Sequence, residues 1–283
     1  CGIVIGGTGE YALALREAAS KYPSARFVTL GGDWQEGGPA NFTLVGINDS
    51  QHWYLEGLVA GALTASNRIG IMSTTVGEAP WQRGFINRFA LGVKAANSRA
   101  KVIVHYMPGS HWGQPALEES VARALVAQKC DFIWGEVTPQ VYTMLESLAK
   151  TGKSALSFQT DFHYSIAPSV IASGPMRDYA AYFQRPLDAV RNGAWVSEAY
   201  WDANASVFGG GGEAFNPAVL PELRAAKVRT PDQGTVPLLD LLTVRAGQIA
   251  SGQFEPFTGP IRDQNGVLRL KDGVRADWQF IDA

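Results

Sequence analysis

The stretch from Arg68 to Phe162 contains the apolar runs Ile69-Gly-Ile-Met72, Lys101-Val-Ile-Val-His-Tyr106, Asp131-Phe-Ile-Trp134 and Ala155-Leu-Ser-Phe158. Three helical patterns separate these runs, and this alternation of strand and helix is typical of a parallel α/β sheet. Ligands of such sheets bind beyond the carboxyl ends of the strands. Polar and aromatic residues concentrate at these ends, as in Gln159-Thr-Asp161 after the last run. The stretch therefore predicts half of a binding cleft, and we expect the rest of the chain to supply the other half.

The composition is that of a folded chain large enough for two lobes. Of its 283 residues, 46% are hydrophobic and 18% are charged, so a sizeable core is expected and disorder is not. The net charge of −2 argues against a general binder of nucleic acid or of anionic membranes. No apolar run is long enough to span a bilayer. Cys1 and Cys130 do not suggest a disulfide framework, and Cys130 is predicted to be a buried apolar residue between a helix and a strand.

The chain before Arg68 predicts the first lobe. Its predicted elements are a strand over residues 1–5, a helix over about 11–21, strands over 26–30 and 42–46, and a buried helix over about 51–64. We expect Phe42-Thr-Leu-Val-Gly46 to be a short edge strand and the last helix to lead into the second lobe. The turn Gly6-Gly-Thr-Gly-Glu10 could bind phosphate at a helix start, but Glu10 would repel the anion and the full motifs are absent. A tight turn that lines the cleft is the favoured interpretation.

The remaining elements complete both lobes. Helices are predicted over about 80–97, 115–129, 139–151, 175–192 and 237–251, a doubtful helix over 221–228, strands near 168–174 and 194–201, and a hairpin turn at Gln264-Asn-Gly266. The helix over 175–192 is placed back on the first lobe. Lobe 1 then comprises residues 1–66 and 175–196, and lobe 2 comprises residues 67–174 and 197–283.

A pocket for a small ring-shaped solute needs aromatic faces and a few fixed polar groups. Trp112, in a loop after a strand, is interpreted either as a wall of the cleft or as a surface-loop anchor. Trp134, at the end of a buried strand, is either a second wall or a core residue. Glu136 is suited to accept hydrogen bonds from ring N–H or hydroxyl groups, with a solvated rim acid as the alternative.

The first lobe supplies its own candidates for ligand contact. Thr8, Glu10 and Tyr11 occupy the strand-to-helix turn that we expect to face the cleft. Asn48 and Trp53 lie close to the first crossover between the lobes.

The sequence contains no recognisable catalytic motif. No Gly-x-Ser-x-Gly elbow, Cys/His pair or His-Glu-x-x-His motif is present. His105 and His111 lack metal-ligand spacing within one element, and no acidic or cysteine cluster accompanies them in sequence. We therefore predict a protein that is not an enzyme and needs no metal or other cofactor.

Several segments, in order along most of the chain, resemble the basic membrane protein family, the solute-binding lipoproteins of ABC importers that include the purine nucleoside receptor. The segments are Cys1-Gly-Ile-Val-Ile-Gly-Gly-Thr-Gly-Glu-Tyr11, Lys21-Tyr-Pro-Ser-Ala-Arg-Phe27, Tyr54-Leu-Glu-Gly-Leu-Val-Ala-Gly61, Arg68-Ile-Gly-Ile-Met72, Arg83-Gly-Phe-Ile-Asn-Arg-Phe-Ala-Leu-Gly-Val-Lys94, Gly109-Ser-His-Trp112, Tyr182-Phe-Gln-Arg-Pro-Leu-Asp-Ala-Val-Arg-Asn-Gly-Ala-Trp195 and Gly252-Gln-Phe-Glu-Pro-Phe-Thr-Gly-Pro-Ile-Arg-Asp263.

The resemblance implies a periplasmic-binding-protein type I fold, in which two Rossmann-like lobes with parallel sheets are joined by crossover segments and close over a ligand. It implies that Asp161 contacts a ribose hydroxyl or a base, and Phe162 beside it would stack on the ligand or pack at the hinge. Proteins of this family begin with two further βα units, so we expect this sequence to lack an N-terminal segment.

The predicted function is solute binding for an ABC importer, with a purine nucleoside, a nucleobase or a similar ring compound as the solute. The implied partner is a membrane permease, and nucleic acid is not expected to bind. We expect a monomer in the periplasm or another extracytoplasmic space, with lipid anchoring through an N-terminus outside this sequence left open. The alternatives are a ligand-sensing regulatory domain of the same bilobal fold and a nucleoside-processing α/β enzyme.

Overall fold

The computed structural model describes residues 2–46, 50–74, 82–109, 114–135, 137–152, 155–158, 164–174, 176–177, 179–201, 206–207, 215–230 and 234–276. The strands in these ranges are β1 (Ile3–Gly6), β2 (Arg26–Leu30), β3 (Phe42–Gly46), β4 (Arg68–Thr74), β5 (Lys101–Met107), β6 (Phe132–Gly135), β7 (Ser157–Phe158), β8 (Ile171–Ser173), β9 (Met176–Arg177), β10 (Ala199–Trp201), β11 (Ser206–Val207), β12 (Lys227–Thr230), β13 (Gly234–Pro237), β14 (Ile261–Arg262) and β15 (Leu268–Leu270). The helices are α1 (Ala12–Lys21), α2 (Ser50–Leu63), α3 (Gln82–Ala96), α4 (Pro115–Ala127), α5 (Pro139–Ala149), α6 (Tyr179–Arg191), α7 (Leu220–Ala225) and α8 (Leu238–Ala250). None of these helices has the length and apolar character needed to cross a membrane.

The chain divides into two compact units, and their bounds differ from the predicted lobes at helix α2 and at strand β10. The prediction placed β10 in lobe 2, whereas it pairs with β3 and lies in unit 1. Unit 1 comprises Cys1–Asp49 and Arg177–Val207, and unit 2 comprises Ser50–Met176 and Phe208–Ala283. The predicted boundary after residue 66 left α2 in the first lobe, whereas the structure assigns it to unit 2. The reason is close helix packing, because a Cβ atom on Gly57 of α2 would overlap the carbonyl oxygen of Phe89 in α3.

Unit 1 is built on a four-stranded parallel sheet in the order β1-β2-β3-β10. One face of the sheet packs with Tyr182 of α6, and the other packs with Ala19 of α1. The prediction that Phe42–Gly46 is an edge strand is wrong, since β3 lies between β2 and β10. All five residues of β3 are buried, and its partner β10 comes from a distant part of the chain.

Unit 2 contains the parallel strands predicted from the apolar runs. Strands β5, β4 and β6 pair in that order, Phe132 of β6 bridges to Leu156 beside β7, and β7 pairs with β8. Helices α2, α3 and α8 contribute to the core that includes Trp134, whereas α4 and α5 contribute to the core that includes Ile133. Consecutive residues of β6 therefore belong to opposite faces, as the pleat requires.

The structure confirms the prediction that Cys130 is buried. It is 3% exposed, lies in the core with Ile133 and Leu145, and forms no disulfide. Burial raises the pKa of its thiol above the ordinary value, against an opposing effect of the Arg68 guanidinium.

The C-terminal part of the chain adds short elements to unit 2. The doubtful helix over 221–228 is present as the shorter α7. The predicted hairpin turn is confirmed, because β14 and β15 pair antiparallel around Asn265 and Gly266. Gly266 has a φ of 80°, a left-handed conformation that glycine adopts without steric penalty.

Candidate functional site

The turn after β1 in unit 1 packs directly against the turn after β2. A Cβ atom on Gly9 would lie only 2.6 Å from the backbone nitrogen of Gly32, which itself has a φ of 102°. The hydroxyl of Thr29 also donates to the carbonyl oxygen of Thr8 at 3.3 Å. Glycine is required here because two backbones touch, which agrees with the tight-turn interpretation of this segment.

The structure brings Thr8, Glu10 and Tyr11 together on this turn. All three side chains are exposed, and Tyr11 is 56% exposed. The Thr8 hydroxyl donates a long hydrogen bond of 3.4 Å to the Glu10 carboxylate, and the Tyr11 N–H donates to the Thr8 carbonyl oxygen at 3.2 Å. Their side chains are therefore held weakly by the protein, and their contact with a ligand stays a prediction.

The end of β4 in unit 2 is fixed by a buried amide. Oε1 of Gln82, the first residue of α3, accepts from the Ser73 hydroxyl and from the Thr74 N–H at 2.7 Å. All three residues are at most 5% exposed. The amide thus joins the carboxyl end of the strand to the start of the next helix. Gln82 was not singled out from the sequence, although its position as a polar residue near a helix start behind Ser-Thr-Thr was visible there.

Trp134 lies in the aromatic core of unit 2. It is 2% exposed and is the penultimate residue of β6. Its ring centroid is 3.6 Å from that of Trp53 at an interplanar angle of 76°, and 5.5 Å from the parallel ring of Phe89. Phe85 stacks on the other tryptophan at 4.6 Å. Of the two interpretations drawn from the sequence, the structure favours the core residue, and a ligand contact by Trp134 stays a prediction.

Helix α2 also places two ionisable side chains inside unit 2. His52 is 4% exposed and Glu56, one turn later, is fully buried. The imidazole of His52 stacks on Trp53 with centroids 5.9 Å apart. Neither residue was singled out from the sequence, although their i, i+4 spacing on a largely apolar helix was visible.

The other predicted contacts lie outside the residues that the structure describes. They are Asn48, Trp112, Glu136, Asp161 and Phe162. Their roles stay predictions from the sequence and from the resemblance. His111 also lies outside these residues, whereas His105 is exposed on β5. In the part of the chain that is described, no group of three or more His, Cys, Asp or Glu side chains could hold a metal ion.

Comparison with known families decides the wider assignment. Residues 3–205, more than half of the chain, match the family described as PnrA-like ABC transporter substrate-binding proteins. The chain belongs to this family. The resemblance noted from the sequence is thereby confirmed.

A curated relative of this PnrA-like chain is a purine-binding protein from Brucella abortus (strain 2308). The two sequences are 25% identical over 230 residues, which is 81% of this chain and 58% of the relative. The chain thus spans less than two thirds of the length of that protein.

Solved structures share the fold of the PnrA-like chain. A solute-binding protein of an ABC transporter system from Conexibacter woesei DSM 14684 has a TM-score of 0.63 at 18% identity, covering 90% of this chain and 78% of the other. A second one, from Aeropyrum pernix K1, has a TM-score of 0.68 at 14% identity, covering 93% and 78%. A protein from Bacillus halodurans described as a transcriptional activator of the comK gene has a TM-score of 0.68 at 16% identity, covering 89% and 80%. These similarities show the predicted α/β fold with parallel sheets, that of type I periplasmic binding proteins.

Proposed function

We propose that this PnrA-like protein is the solute-binding component of an ABC importer, and that its solute is a purine nucleoside, a nucleobase or a similar ring compound. The observation that carries the proposal is the family match over residues 3–205. The curated relative, described as purine-binding, supports the ligand class.

The strand-end turn of unit 1 offers groups suited to binding a small molecule. Unit 1 exposes Thr8, Glu10 and Tyr11 after β1, and these offer hydrogen-bonding groups and one aromatic face. Aromatic faces combined with a few polar groups are the usual lining of a small-molecule site. A base that stacks on an aromatic ring gains about 1–3 kcal/mol. No reaction is assigned to these groups, and the protein is proposed to release its solute unchanged.

The finer parts of the proposal come from the sequence and the family resemblance. Asp161 and Glu136 fix the polar edges of the solute, and hinge closure of the lobes presents the loaded protein to a membrane permease. The protein acts as a monomer in an extracytoplasmic compartment. Asp161→Ala tests the first of these roles, because loss of a hydrogen bond to a charged group weakens binding by about 1.5–3 kcal/mol. A change in binding free energy within about 0.5 kcal/mol, the size usual for inert surface substitutions, would remove Asp161 from the site.

A ligand-sensing regulator is the alternative from another functional class. The fold alone does not separate the two, because a protein described as a transcriptional activator shares it. The family match to substrate-binding proteins of ABC transporters favours the importer component. A nucleoside-processing enzyme, the other alternative, would convert a bound nucleoside to products, whereas a solute-binding protein would release it unchanged.

A thermal-shift panel tests the proposed function. The protein is heated with purine nucleosides, purine nucleobases, riboflavin, sugars and amino acids, and each mixture is afterwards examined by chromatography. A ligand at 100 times its Kd should stabilise the protein by about 2.7 kcal/mol. Stabilisation by purines with no product formed is the expected result. Stabilisation by sugars or amino acids alone would overturn the ligand class, and conversion of a nucleoside would overturn the binding-only role.

A further inference from the structure

The amino ends of the strands in unit 2 carry a patch of exposed basic residues, here called the basic edge. It is formed by the three turns that lead into β5, β4 and β6, at residues 97–101, 64–68 and 128–131. These turns contain four basic residues and one acid. Arg99, Lys101 and Lys129 are exposed, and their side chains form no ion pair or hydrogen bond within the described residues.

Hydrogen bonds join the three turns into one surface. The Lys101 N–H donates to the Asn67 carbonyl oxygen at 2.9 Å, and the Asp131 N–H donates to the Arg68 carbonyl oxygen at 3.1 Å. Nε of Arg68 also donates to the Gln128 carbonyl oxygen at 2.7 Å. Because neighbouring strands lie about 5 Å apart, these turns and the cations that they carry lie side by side.

The acid of the basic edge is already engaged by its own turn. The Asp131 carboxylate accepts from the Thr64 hydroxyl at 2.6 Å and from the N–H groups of Ala65 and Ser66 at 2.8 and 2.7 Å. Among the described residues it forms no ion pair with a basic side chain of the patch. The basic edge therefore keeps a net positive charge.

Local structural roles do not account for all three exposed cations. Lys129 follows the end of α4, where a positive charge complements the helix dipole, but its φ of 65° is one at which glycine is the usual residue. Arg99 lies in the turn between α3 and β5, and Lys101 is the first residue of β5. Neither of these two completes a helix end. A cationic surface that the protein itself leaves unpaired suits an anionic partner.

The chemistry of the basic edge favours a phospholipid surface over a protein partner. None of the large hydrophobic side chains that are exposed in the described part of the chain belongs to these three turns. The centre of a protein interface is usually rich in apolar and aromatic residues, whereas clusters of Lys and Arg bind anionic headgroups by charge alone. The basic edge also lies at the amino ends of the strands, opposite the carboxyl ends at which ligands of such sheets bind. Docking through it therefore leaves the ligand-binding end of unit 2 accessible.

We propose that the basic edge of unit 2 docks on anionic phospholipid headgroups and holds the protein at a membrane surface. The choice of a membrane rests on the proposed function, which places the protein beside a permease. The net charge of −2 gives the molecule as a whole no attraction to such a surface, so the docking is confined to this patch and is oriented by it. The attraction acts over about 10 Å at 0.1 M salt, so added salt should weaken it.

Two charge-matched variants test the basic edge. The patch variant replaces its three exposed cations, combining Arg99→Gln, Lys101→Gln and Lys129→Gln. The control variant makes the same change in net charge at exposed positions outside the patch, combining Lys21→Gln, Arg191→Gln and Lys271→Gln. Binding is measured by co-sedimentation with vesicles of phosphatidylcholine alone and with vesicles of phosphatidylcholine and phosphatidylglycerol in equal parts. The melting temperature and the affinity for purines are measured for each protein.

The wild type is expected to bind the vesicles that contain phosphatidylglycerol, to ignore those of phosphatidylcholine alone, and to be released by sodium chloride. Each cation near an anionic membrane contributes about fivefold to the affinity, so the patch variant should bind about 100-fold more weakly. The control variant should stay within about fivefold of the wild type, the effect of a single cation at the surface. Both variants should keep the melting temperature and the purine affinity of the wild type, because the substituted side chains are exposed and lie away from the carboxyl ends of the strands.

Different outcomes separate this inference from the proposed function. If the wild type binds purines but not the anionic vesicles, or if both variants lose vesicle binding equally, the docking surface is wrong and the proposed function stands. Release by inorganic phosphate, at an ionic strength at which sodium chloride does not release the protein, would assign the patch to a soluble anion and overturn the membrane. Vesicle binding that depends on the patch, with no response to any purine, would keep the docking surface and overturn the proposed ligand class. Should the patch variant fail to fold, Lys101→Gln alone carries the test, with an expected loss of about fivefold.

Discussion

The strand-end regions of the two units differ in how firmly their side chains are held. In unit 1, Thr8, Glu10 and Tyr11 are exposed, and the hydrogen bond between the first two is 3.4 Å long. In unit 2, Gln82 and Trp134 are buried, and each makes contacts that join a strand to a helix. Substitutions in the first region should therefore change binding without changing stability. Substitutions in the second should test folding and binding together.

The difference has a backbone origin. The turn of unit 1 is positioned by glycine contacts between Gly9 and Gly32, so its side chains are free to face solvent. The corresponding edge of unit 2 is positioned by side chains, which must be buried to do so.

The largest expected effect is at the contact between α2 and α3. A Cβ atom on Gly92 would overlap the carbonyl oxygen of Tyr54 and lie 3.0 Å from Cα of Gly57. These neighbours are backbone atoms of α2, which cannot rotate away as a side chain can. Gly92→Ala should therefore destabilise the protein by about 3 kcal/mol. Urea unfolding followed by circular dichroism measures this change.

Gly247→Ala is the matched control, since Gly247 is exposed in α8 with nothing within 4 Å of an added Cβ atom. Replacing glycine with alanine in an open helix position should stabilise the protein by up to about 1 kcal/mol. Equal effects of the two substitutions would show that α2 is not packed tightly against α3.

The next effect concerns the buried link at the end of β4. Gln82→Ala removes the acceptor of the Thr74 N–H and of the Ser73 hydroxyl, so it should destabilise the protein by about 1–3 kcal/mol. Gln184→Ala removes an exposed amide that donates to Asp188 on α6, and its effect should stay within about 0.5 kcal/mol. Thermal and urea unfolding of both variants compares them. If Gln82→Ala were as stable as Gln184→Ala, the buried amide would not stabilise the end of β4. The contrast between firmly held side chains in unit 2 and weakly held ones in unit 1 would then be wrong.

A smaller effect, confined to binding, is expected in unit 1. Tyr11→Ala should weaken purine binding by about 1 kcal/mol or more, which is the lower end of the range for a base stacked on an aromatic side chain. The melting temperature should not change, because the Tyr11 side chain is exposed. Tyr22 lies at the other end of α1 and is 62% exposed, so Tyr22→Ala should change neither property. Titration calorimetry and thermal unfolding of the two variants decide the point. If both variants bind as the wild type does, Tyr11 is not a ligand contact.

The smallest effect concerns Cys130. Burial raises the pKa of its thiol, so the folded protein keeps the thiol neutral at pH values at which the unfolded chain begins to ionise. The stability contributed by this group is present below the unfolded pKa and is lost as the pH rises through the folded pKa. In a Cys1→Ser variant, labelling of Cys130 by a thiol reagent at pH 7 should require unfolding. Rapid labelling of the native protein would contradict the packing of this core.

Several features of the fold were predictable because local patterns determine them. The bounds of β2 and β3 follow from short apolar runs, and the hairpin around Gly266 follows from its turn residues. The interior position of β3 was not predictable, because its partner β10 has only three residues and lies far along the chain. The assignment of α2 to unit 2 depends on glycine contacts such as that of Gly57, which appear only after packing.

The candidate site was predictable only in part, for a physical reason. Position after a strand identified Thr8, Glu10 and Tyr11, and the structure places them on one exposed turn. The same criterion could not decide whether Trp134 faces a ligand or the core, because burial depends on α2 and α3. A polar residue that supports a strand end, such as Gln82, carries no ligand signal of its own in the sequence.

Titration calorimetry of the wild-type protein with hypoxanthine, guanosine and adenosine, beside ribose and an amino acid, tests the central claim most directly. The account predicts one-to-one binding of at least one purine compound with a Kd near 1 μM or below, about −8 kcal/mol or more favourable, and recovery of that compound unchanged. Binding of ribose or the amino acid with no response to any purine, or conversion of the nucleoside to products, would contradict it.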